Sequence, residues 1–170
     1  MIIFAHGMEG TPNGSKIRSL REAGFEVLAP DFQGMPLAER VNLLQRICEE
    51  HRDKSVVLAG SSYGGLAASI VAMSMPDAFR GLLLCAPALH LEEPPIDDET
   101  VLIAPDGLKT AIIHGIDDDI VPISCSIEYA ECSGEDIVAF HRVSDGHRLA
   151  NSHNEIISAA QLLIVETIDS

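Results

Sequence analysis

The feature that most constrains the fold is an alternation of short, continuously apolar runs with longer amphipathic segments. Runs such as MIIFAH (1–6), SVVLAG (55–60) and GLLLCAP (81–87) lack the apolar-polar alternation of a strand with one face in water. A strand of this kind is buried on both faces, as in parallel sheets that carry helices on each side. The pattern therefore predicts an α/β protein built as a three-layer α/β/α sandwich.

The same pattern predicts the number and order of the elements. We expect six strands, at residues 1–6, 25–30, 55–60, 81–87, 108–115 and 136–143. Helices are expected at residues 13–24, 36–51, 65–75, 124–132 and 150–168. The second helix is the clearest, because an apolar stripe recurs at helical spacing along it. No repeat or linker divides the chain, so we expect a single domain over residues 1–170.

One segment has no regular pattern. Residues 88–107 are acidic and hold three of the nine prolines. This length is too short for a separate cap domain, so we expect a flap or a surface loop there.

The charge of the chain argues against two classes of partner. With 26 acidic and 11 basic residues, the formal net charge is −15. Nucleic acids and anionic membranes repel such a surface. No apolar run has the length of a membrane span, and the first residues do not resemble a signal peptide. The four cysteines form no paired motif, so we expect a reduced, cytoplasmic protein without a metal site.

The segment GSSYGG (60–65) lies where the third strand passes into a helix, and it matches Gly-x-Ser-x-Gly with Ser62 at the centre. In that setting the central residue occupies a strained turn that exposes its side chain, and Gly60 and Gly64 let strand and helix cross closely. The helix start also supplies free N–H groups that favour developing negative charge. A glycine-rich turn with a serine cap fits the same letters, but the flanking strand and helix favour a nucleophile.

A serine hydroxyl needs a base, and a base of this kind needs an acid that orients it. His147 follows the last strand and is the candidate base, because imidazole exchanges protons near neutral pH. Asp118 holds the acidic position of HGIDDDIVP, with Asp117 and Asp119 as alternatives. These three residues occur along the chain in the order Ser, Asp, His. This is the usual order when the nucleophile lies on a strand-turn-helix of this type.

An oxyanion needs hydrogen-bond donors beside the nucleophile. The backbone N–H of Tyr63, directly after Ser62, is one candidate, and that of Met8, in the loop after the first strand, is the other. Met8, Tyr63, Glu9 and Leu149 are also expected to line the mouth of the site and to bind substrate.

These segments together resemble the α/β-hydrolase superfamily. HGMEG (6–10), GSSYGG (60–65), HGIDDDIVP (114–122) and DGHRL (145–149) occur in that superfamily's order. More narrowly, the chain is similar to small bacterial hydrolases without a cap. The resemblance implies a minimal fold without the family's first two strands, and a six-stranded sheet in the family order 4-3-5-6-7-8.

The resemblance also implies an activity. We expect a serine hydrolase, of esterase type, that cleaves a carboxylic ester or related acyl bond of a small molecule through an acyl-enzyme, with no cofactor. Thioesterase, lipase-like or peptidase activity on the same triad stays open, as do a haloperoxidase or lyase variant and a non-catalytic binding protein with this fold. The sequence indicates neither the natural substrate nor the oligomeric state.

Overall fold

A computed structural model describes residues 1–165, and within this range six strands form one parallel sheet in the order β2-β1-β3-β4-β5-β6. The strands are β1 (Ile2–Ala5), β2 (Val27–Leu28), β3 (Val56–Ser61), β4 (Phe79–Cys85), β5 (Thr110–Gly115) and β6 (Ile137–Val143). When β1 to β6 are counted as the third to eighth strands of the family, this is the predicted order 4-3-5-6-7-8.

Helices cover the sheet on both faces, which confirms the predicted three-layer sandwich. They are α1 (Ser15–Glu22), α2 (Leu37–Glu50), α3 (Tyr63–Ser74), α4 (Ile123–Ser133) and α5 (His153–Ile164). Two separate groups of buried side chains define the layers. One group joins α1 and α5 to one face of the sheet, and the other joins α2, α3 and α4 to the opposite face.

The second strand is shorter than predicted. Residues 25–30 were expected to be extended, yet only Val27–Leu28 pairs with β1. The N–H of Phe25 is used instead to close the end of α1 on the Leu20 carbonyl. Pro30 has no N–H to donate, so β2 remains a short strand at the sheet edge.

The last helix starts later than predicted. Leu149 adopts a left-handed backbone with φ of 52°, and α5 begins only at His153. Residues 150–151 form a turn and Ser152 is the non-helical N-cap, with φ of −117° and ψ of 24°, so the expected start at residue 150 is wrong. The final predicted turn, residues 166–168, lies outside the described residues.

The segment between β4 and β5 contains no helix or strand, as predicted. Apolar side chains along it pack against the core formed with α2, α3 and α4; these are Leu89, Leu91, Ile96 and Leu102. The segment is therefore a loop wrapped onto the fold.

The four cysteines are free thiols. Burial raises the pKa of both Cys48 and Cys85 to about 12, so neither forms a thiolate at neutral pH. Cys125 is partly buried and Cys132 is exposed. Within residues 1–165, no helix combines the length and the apolar character needed to span a membrane.

The central strand supplies a stability test. Leu58 on β3 is fully buried, so Leu58→Ala leaves a cavity and lowers the free energy of unfolding by about 2–5 kcal/mol. Leu162 on α5 is 47% exposed, and Leu162→Ala changes that free energy by only about 0.5 kcal/mol. Urea denaturation followed by circular dichroism measures both. Equal effects would contradict the assignment of β3 to the core.

Candidate active site

Ser62 occupies the turn between β3 and α3 in a backbone conformation that side chains rarely adopt. Its φ is 55° and its ψ is −120°. The surrounding main chain holds this geometry. The Ser62 N–H donates to the Cys85 carbonyl at 3.0 Å, and the Ser62 carbonyl accepts from the N–H of Ala88 at 3.0 Å. The neighbouring strand therefore fixes the turn that presents the hydroxyl.

Two glycines make this turn possible. A Cβ atom on Gly60 would overlap the carbonyl of Gly64, and a Cβ atom on Gly64 would overlap the carbonyl of Ala5 on β1. The start of α3 therefore lies directly against both β3 and the end of β1, as the spacing of the motif predicts.

His147 contacts both of its predicted partners. Its Nε2 lies 3.0 Å from Ser62 Oγ, and its Nδ1 lies 2.8 Å from Asp118 Oδ2. Since a carboxylate only accepts, Nδ1 carries the proton and Nε2 is free to accept the serine proton. The side chain of Asp118 is fully buried and that of His147 is 19% exposed. The hydroxyl, the imidazole and the carboxylate thus form one continuous series.

Backbone donors hold the carboxylate of Asp118. Its Oδ1 accepts from the N–H of Ile120 at 2.9 Å and from that of Val121 at 2.8 Å. Burial by itself raises the pKa of Asp118, but hydrogen bonds from Val121, His147 and Ile120 outweigh burial and lower this pKa. The group is therefore a carboxylate at neutral pH. Asp117 and Asp119 are both exposed, so of the three aspartates Asp118 alone reaches His147.

The turn that carries His147 is held by Asp145. One oxygen of this carboxylate accepts from the N–H of Gly146, and the other accepts from the N–H of Asn151 and the hydroxyl of Ser152, each at 2.8 Å. Burial opposes the charge of Asp145, but these donors lower its pKa. Asp145 therefore orders the loop on both sides of the imidazole.

The loop after β5 and the loop after β6 are in direct contact. The N–H of Ile116 donates to the Val143 carbonyl at 2.8 Å, and the N–H of Asp117 donates to the Asp145 carbonyl at 3.2 Å. A Cβ atom on Gly115 would overlap the same Asp145 carbonyl. Main-chain contacts thus connect the segment that carries Asp118 with the segment that carries His147.

The two predicted oxyanion donors are unoccupied backbone groups. Among the described residues, neither the N–H of Met8 nor that of Tyr63 donates to a protein acceptor. Gly7 brings the Met8 loop against the nucleophile, because a Cβ atom on Gly7 would lie 3.4 Å from Ser62 Cβ. Both groups therefore remain available beside Ser62.

His6 holds this loop through both ring nitrogens. Its Nε2 accepts from the N–H of Phe32 at 2.9 Å, so Nδ1 carries the proton and donates to the Gly7 carbonyl at 2.8 Å. Among the hydrogen bonds described, none joins His6 to Ser62 or His147, so His6 supports the loop that carries Met8.

Sequence reasoning missed Arg40, which supports the same loop from behind. Its guanidinium is buried and donates to the carbonyls of His6 at 2.6 Å, Phe32 at 3.1 Å and Met35 at 3.2 Å. It also lies 4.8 Å from the centre of the Tyr63 ring. No carboxylate in the described part of the chain forms an ion pair with it. The available signal was a charged residue beside the apolar stripe of α2.

Ser62 and His147 line a cleft of about 910 Å³. Met8 and Glu9 line it, as predicted, and both are exposed. The prediction that Leu149 lines the mouth is wrong, because its side chain is fully buried among α1 and α5 residues. Its left-handed backbone turns this side chain into the core. The Tyr63 ring is also buried, so Tyr63 offers the cleft its backbone.

The site has no arrangement suited to a metal ion. Within residues 1–165, no cluster of three or more histidine, cysteine, aspartate or glutamate side chains has a geometry that fits one.

Comparison with known proteins gives one family and a common fold. A family model described as the alpha/beta hydrolase family matches residues 2–145. A crystal structure from Xanthomonas campestris pv. campestris, described within the alpha/beta superfamily of hydrolases, is 28% identical with a TM-score of 0.76 and 95% coverage of both chains. No curated protein sequence matches significantly.

Two further structures share the fold at lower identity. Est1E from Butyrivibrio proteoclasticus is 18% identical with a TM-score of 0.73, over 97% of this chain and 88% of that one. A monoacylglycerol lipase from Paleococcus ferrophilus is 19% identical with a TM-score of 0.66, over 95% and 93% of the two chains.

The strand-helix crossing can be tested through Gly64. Gly64→Ala places a methyl group against the main chain of β1, so we expect the free energy of unfolding to fall by about 3 kcal/mol or more. In the control Gly14→Ala the new methyl group lies 3.5 Å from its nearest neighbour, and the loss stays below about 1 kcal/mol. Urea denaturation measures both. A Gly64→Ala protein as stable as the control would contradict the close crossing.

Proposed function

The chain belongs to the alpha/beta hydrolase family, and from this we propose that it is a serine hydrolase that cleaves a carboxylic ester of a small molecule through an acyl-enzyme. The proposal is carried by one observation, the series in which His147 lies 3.0 Å from Ser62 Oγ and 2.8 Å from Asp118 Oδ2. These distances suit proton transfer from hydroxyl to imidazole and orientation of the imidazole by the carboxylate.

The first half of the reaction forms the acyl-enzyme. Ser62 Oγ attacks the carbonyl carbon of the ester while His147 Nε2 takes the hydroxyl proton. The negative charge of Asp118 stabilises the imidazolium and fixes its ring orientation. When the tetrahedral intermediate collapses, the imidazolium returns the proton to the leaving alcohol, and the acyl group remains on Ser62.

The second half releases the acid. His147 Nε2 accepts a proton from a water molecule that attacks the acyl carbonyl, and it then returns this proton to Ser62 Oγ as the serine leaves. The cleft opens to solvent above Ser62, so water reaches the acyl-enzyme without movement of a cap domain.

The backbone N–H groups of Met8 and Tyr63 bind the oxyanion in both halves. Their lack of protein acceptors and the position of Gly7 against Ser62 support this role. Each such donor contributes on the order of 10²–10³ in rate. Arg40 adds a buried positive charge behind the loop that carries the Met8 group.

The lining of the cleft favours apolar acyl groups. Met8 and Ile120 present exposed apolar side chains, being 60% and 62% exposed, and these groups attract an acyl chain. Charged residues of both signs also line the cleft; these are Glu9, Asp119, Asp145, Lys16 and Arg148. We therefore expect esters of apolar acids to be better substrates than esters of dicarboxylic acids.

Ser62 is tested directly by covalent labelling. A fluorophosphonate probe labels the wild-type protein, and Ser62→Ala abolishes both this labelling and the hydrolysis of nitrophenyl esters, because the attacking oxygen is missing. The circular dichroism spectrum stays unchanged. Ester hydrolysis that survives in folded Ser62→Ala protein would refute the proposal.

The acid is tested by comparing three neighbouring aspartates. Asp118→Asn removes the charge that orients His147, so we expect kcat for nitrophenyl acetate to fall by roughly 10²–10⁴-fold. Asp117→Asn and Asp119→Asn alter exposed side chains and leave kcat within about twofold. A large loss in one of these controls, with Asp118→Asn active, would assign the acid to another residue.

A further inference from the structure

A second histidine contacts the carboxylate of the series. His114 lies on β5 and its side chain is fully buried. Its Nε2 is 3.1 Å from Asp118 Oδ2, the same oxygen that lies 2.8 Å from His147 Nδ1. One carboxylate oxygen is therefore shared between two imidazoles.

The neighbours of His114 determine which ring nitrogen carries the proton. Nε2 also lies 3.0 Å from the Val121 carbonyl, so both of its neighbours are acceptors and Nε2 must be the N–H donor. Nδ1 lies 2.8 Å from the Ser126 hydroxyl of α4 and accepts its proton. Burial lowers the pKa of His114, which agrees with a neutral ring.

The single N–H of His114 Nε2 is hydrogen-bonded to the Val121 carbonyl and also lies 3.1 Å from Asp118 Oδ2. Asp118 Oδ1 accepts from the N–H groups of Ile120 and Val121, and Oδ2 accepts from His147 Nδ1. The side chain of Asp118 is fully buried, so the His114 contact takes an acceptor position that solvent does not reach. From α4, the Cys125 thiol also acts on this carboxylate, and burial raises the pKa of that thiol.

We propose that His114 is a positioning residue that shares Asp118 Oδ2 with His147 and so limits how strongly the carboxylate holds the imidazolium. This inference depends on the proposed function, because it assigns Asp118 and His147 to the reaction. His114 does not itself line the cleft and makes no hydrogen bond to Ser62. It contacts Asp118 and the carbonyl of Val121, a residue of the cleft lining, and we assign its effect to Asp118.

Loss of the His114 donor has a defined direction. The negative charge on Oδ2 is then in contact with one imidazole instead of two, so the carboxylate stabilises the imidazolium form of that remaining partner more strongly. The acidic limb of the pH–rate profile, in which the rate rises with pH, therefore moves to higher pH. The imidazolium also returns its proton to the leaving group less readily and Asp118 is less well oriented, so kcat falls while KM stays constant.

Two variants of similar size separate the donor from the volume of the side chain. His114→Leu removes the donor, and we expect the acidic limb to rise by roughly half to one pH unit and the maximal rate to fall about tenfold. His114→Gln carries an amide N–H that reaches the Nε2 position, so its limb stays near that of the wild type. The measured quantity is the rate of Ser62 labelling by a fluorophosphonate between pH 5 and 8.

A destabilised protein is the control for folding effects. Leu58→Ala weakens the core far from Asp118, so its acidic limb stays in place although its stability falls. If His114→Leu does not fold, His114→Asn replaces it, because the shorter amide reaches toward Ser126 and not Asp118. We expect this variant to shift the limb as His114→Leu would.

Several results would overturn the inference. The inference is wrong if the acidic limb of the pH–rate profile stays at the same pH in His114→Leu or His114→Asn. It is also wrong if His114→Gln shifts that limb as far as His114→Leu or His114→Asn does. Nitrogen-15 NMR of the wild type offers a readout independent of activity, and a proton on Nδ1 of a neutral His114 would contradict the assigned tautomer. A wild-type protein that the probe does not label would instead refute the proposed function.

Discussion

The close crossing of β3 with α3 is the constraint from which the geometry of the site follows. Only hydrogen fits at Cα of Gly60 and Gly64, because the helix start lies directly on its own strand and on the end of β1. This crossing forces Ser62 into a left-handed turn and brings the loop after β1 beside it. The proposed nucleophile, Ser62, and the proposed oxyanion donors are therefore positioned by main chain, which depends little on flexible side chains.

Two buried charged groups lie near the cleft, Asp118 and Arg40, and they are stabilised in different ways. Asp118 accepts from two N–H groups of its own loop and from His147, and it also contacts His114, so its ionisation is favoured despite burial. Arg40 is satisfied by carbonyl oxygens and by an aromatic ring, with no described carboxylate in an ion pair with it. Asp31 and Glu93 also act on its charge, and the guanidinium lies behind the loop that carries one of the proposed oxyanion donors.

Local sequence patterns were sufficient for the helix-covered parallel sheet and for the contacts of Ser62, His147 and Asp118, because these depend on strands and turns with recognisable residues. The order of the strands was instead implied by the family resemblance. The partners that a side chain meets across the fold are not encoded locally.

Arg40 appears in the sequence as part of a helix surface, and its carbonyl partners become neighbours only when α2 packs. Leu149 is two residues from His147 in sequence, yet its left-handed backbone directs its side chain into the core formed with α1 and α5.

Main-chain hydrogen bonds join the loops after β5 and β6, so Asp118 and His147 are connected through the backbone as well as through their side chains. Ser62 lies on a different segment, and its hydroxyl reaches that pair through the hydrogen bond with His147. The imidazole-carboxylate distance is therefore restrained by two connected loops, whereas the serine-imidazole distance depends on a side-chain hydrogen bond. Of these two distances, we expect the second to vary more when a ligand enters the cleft.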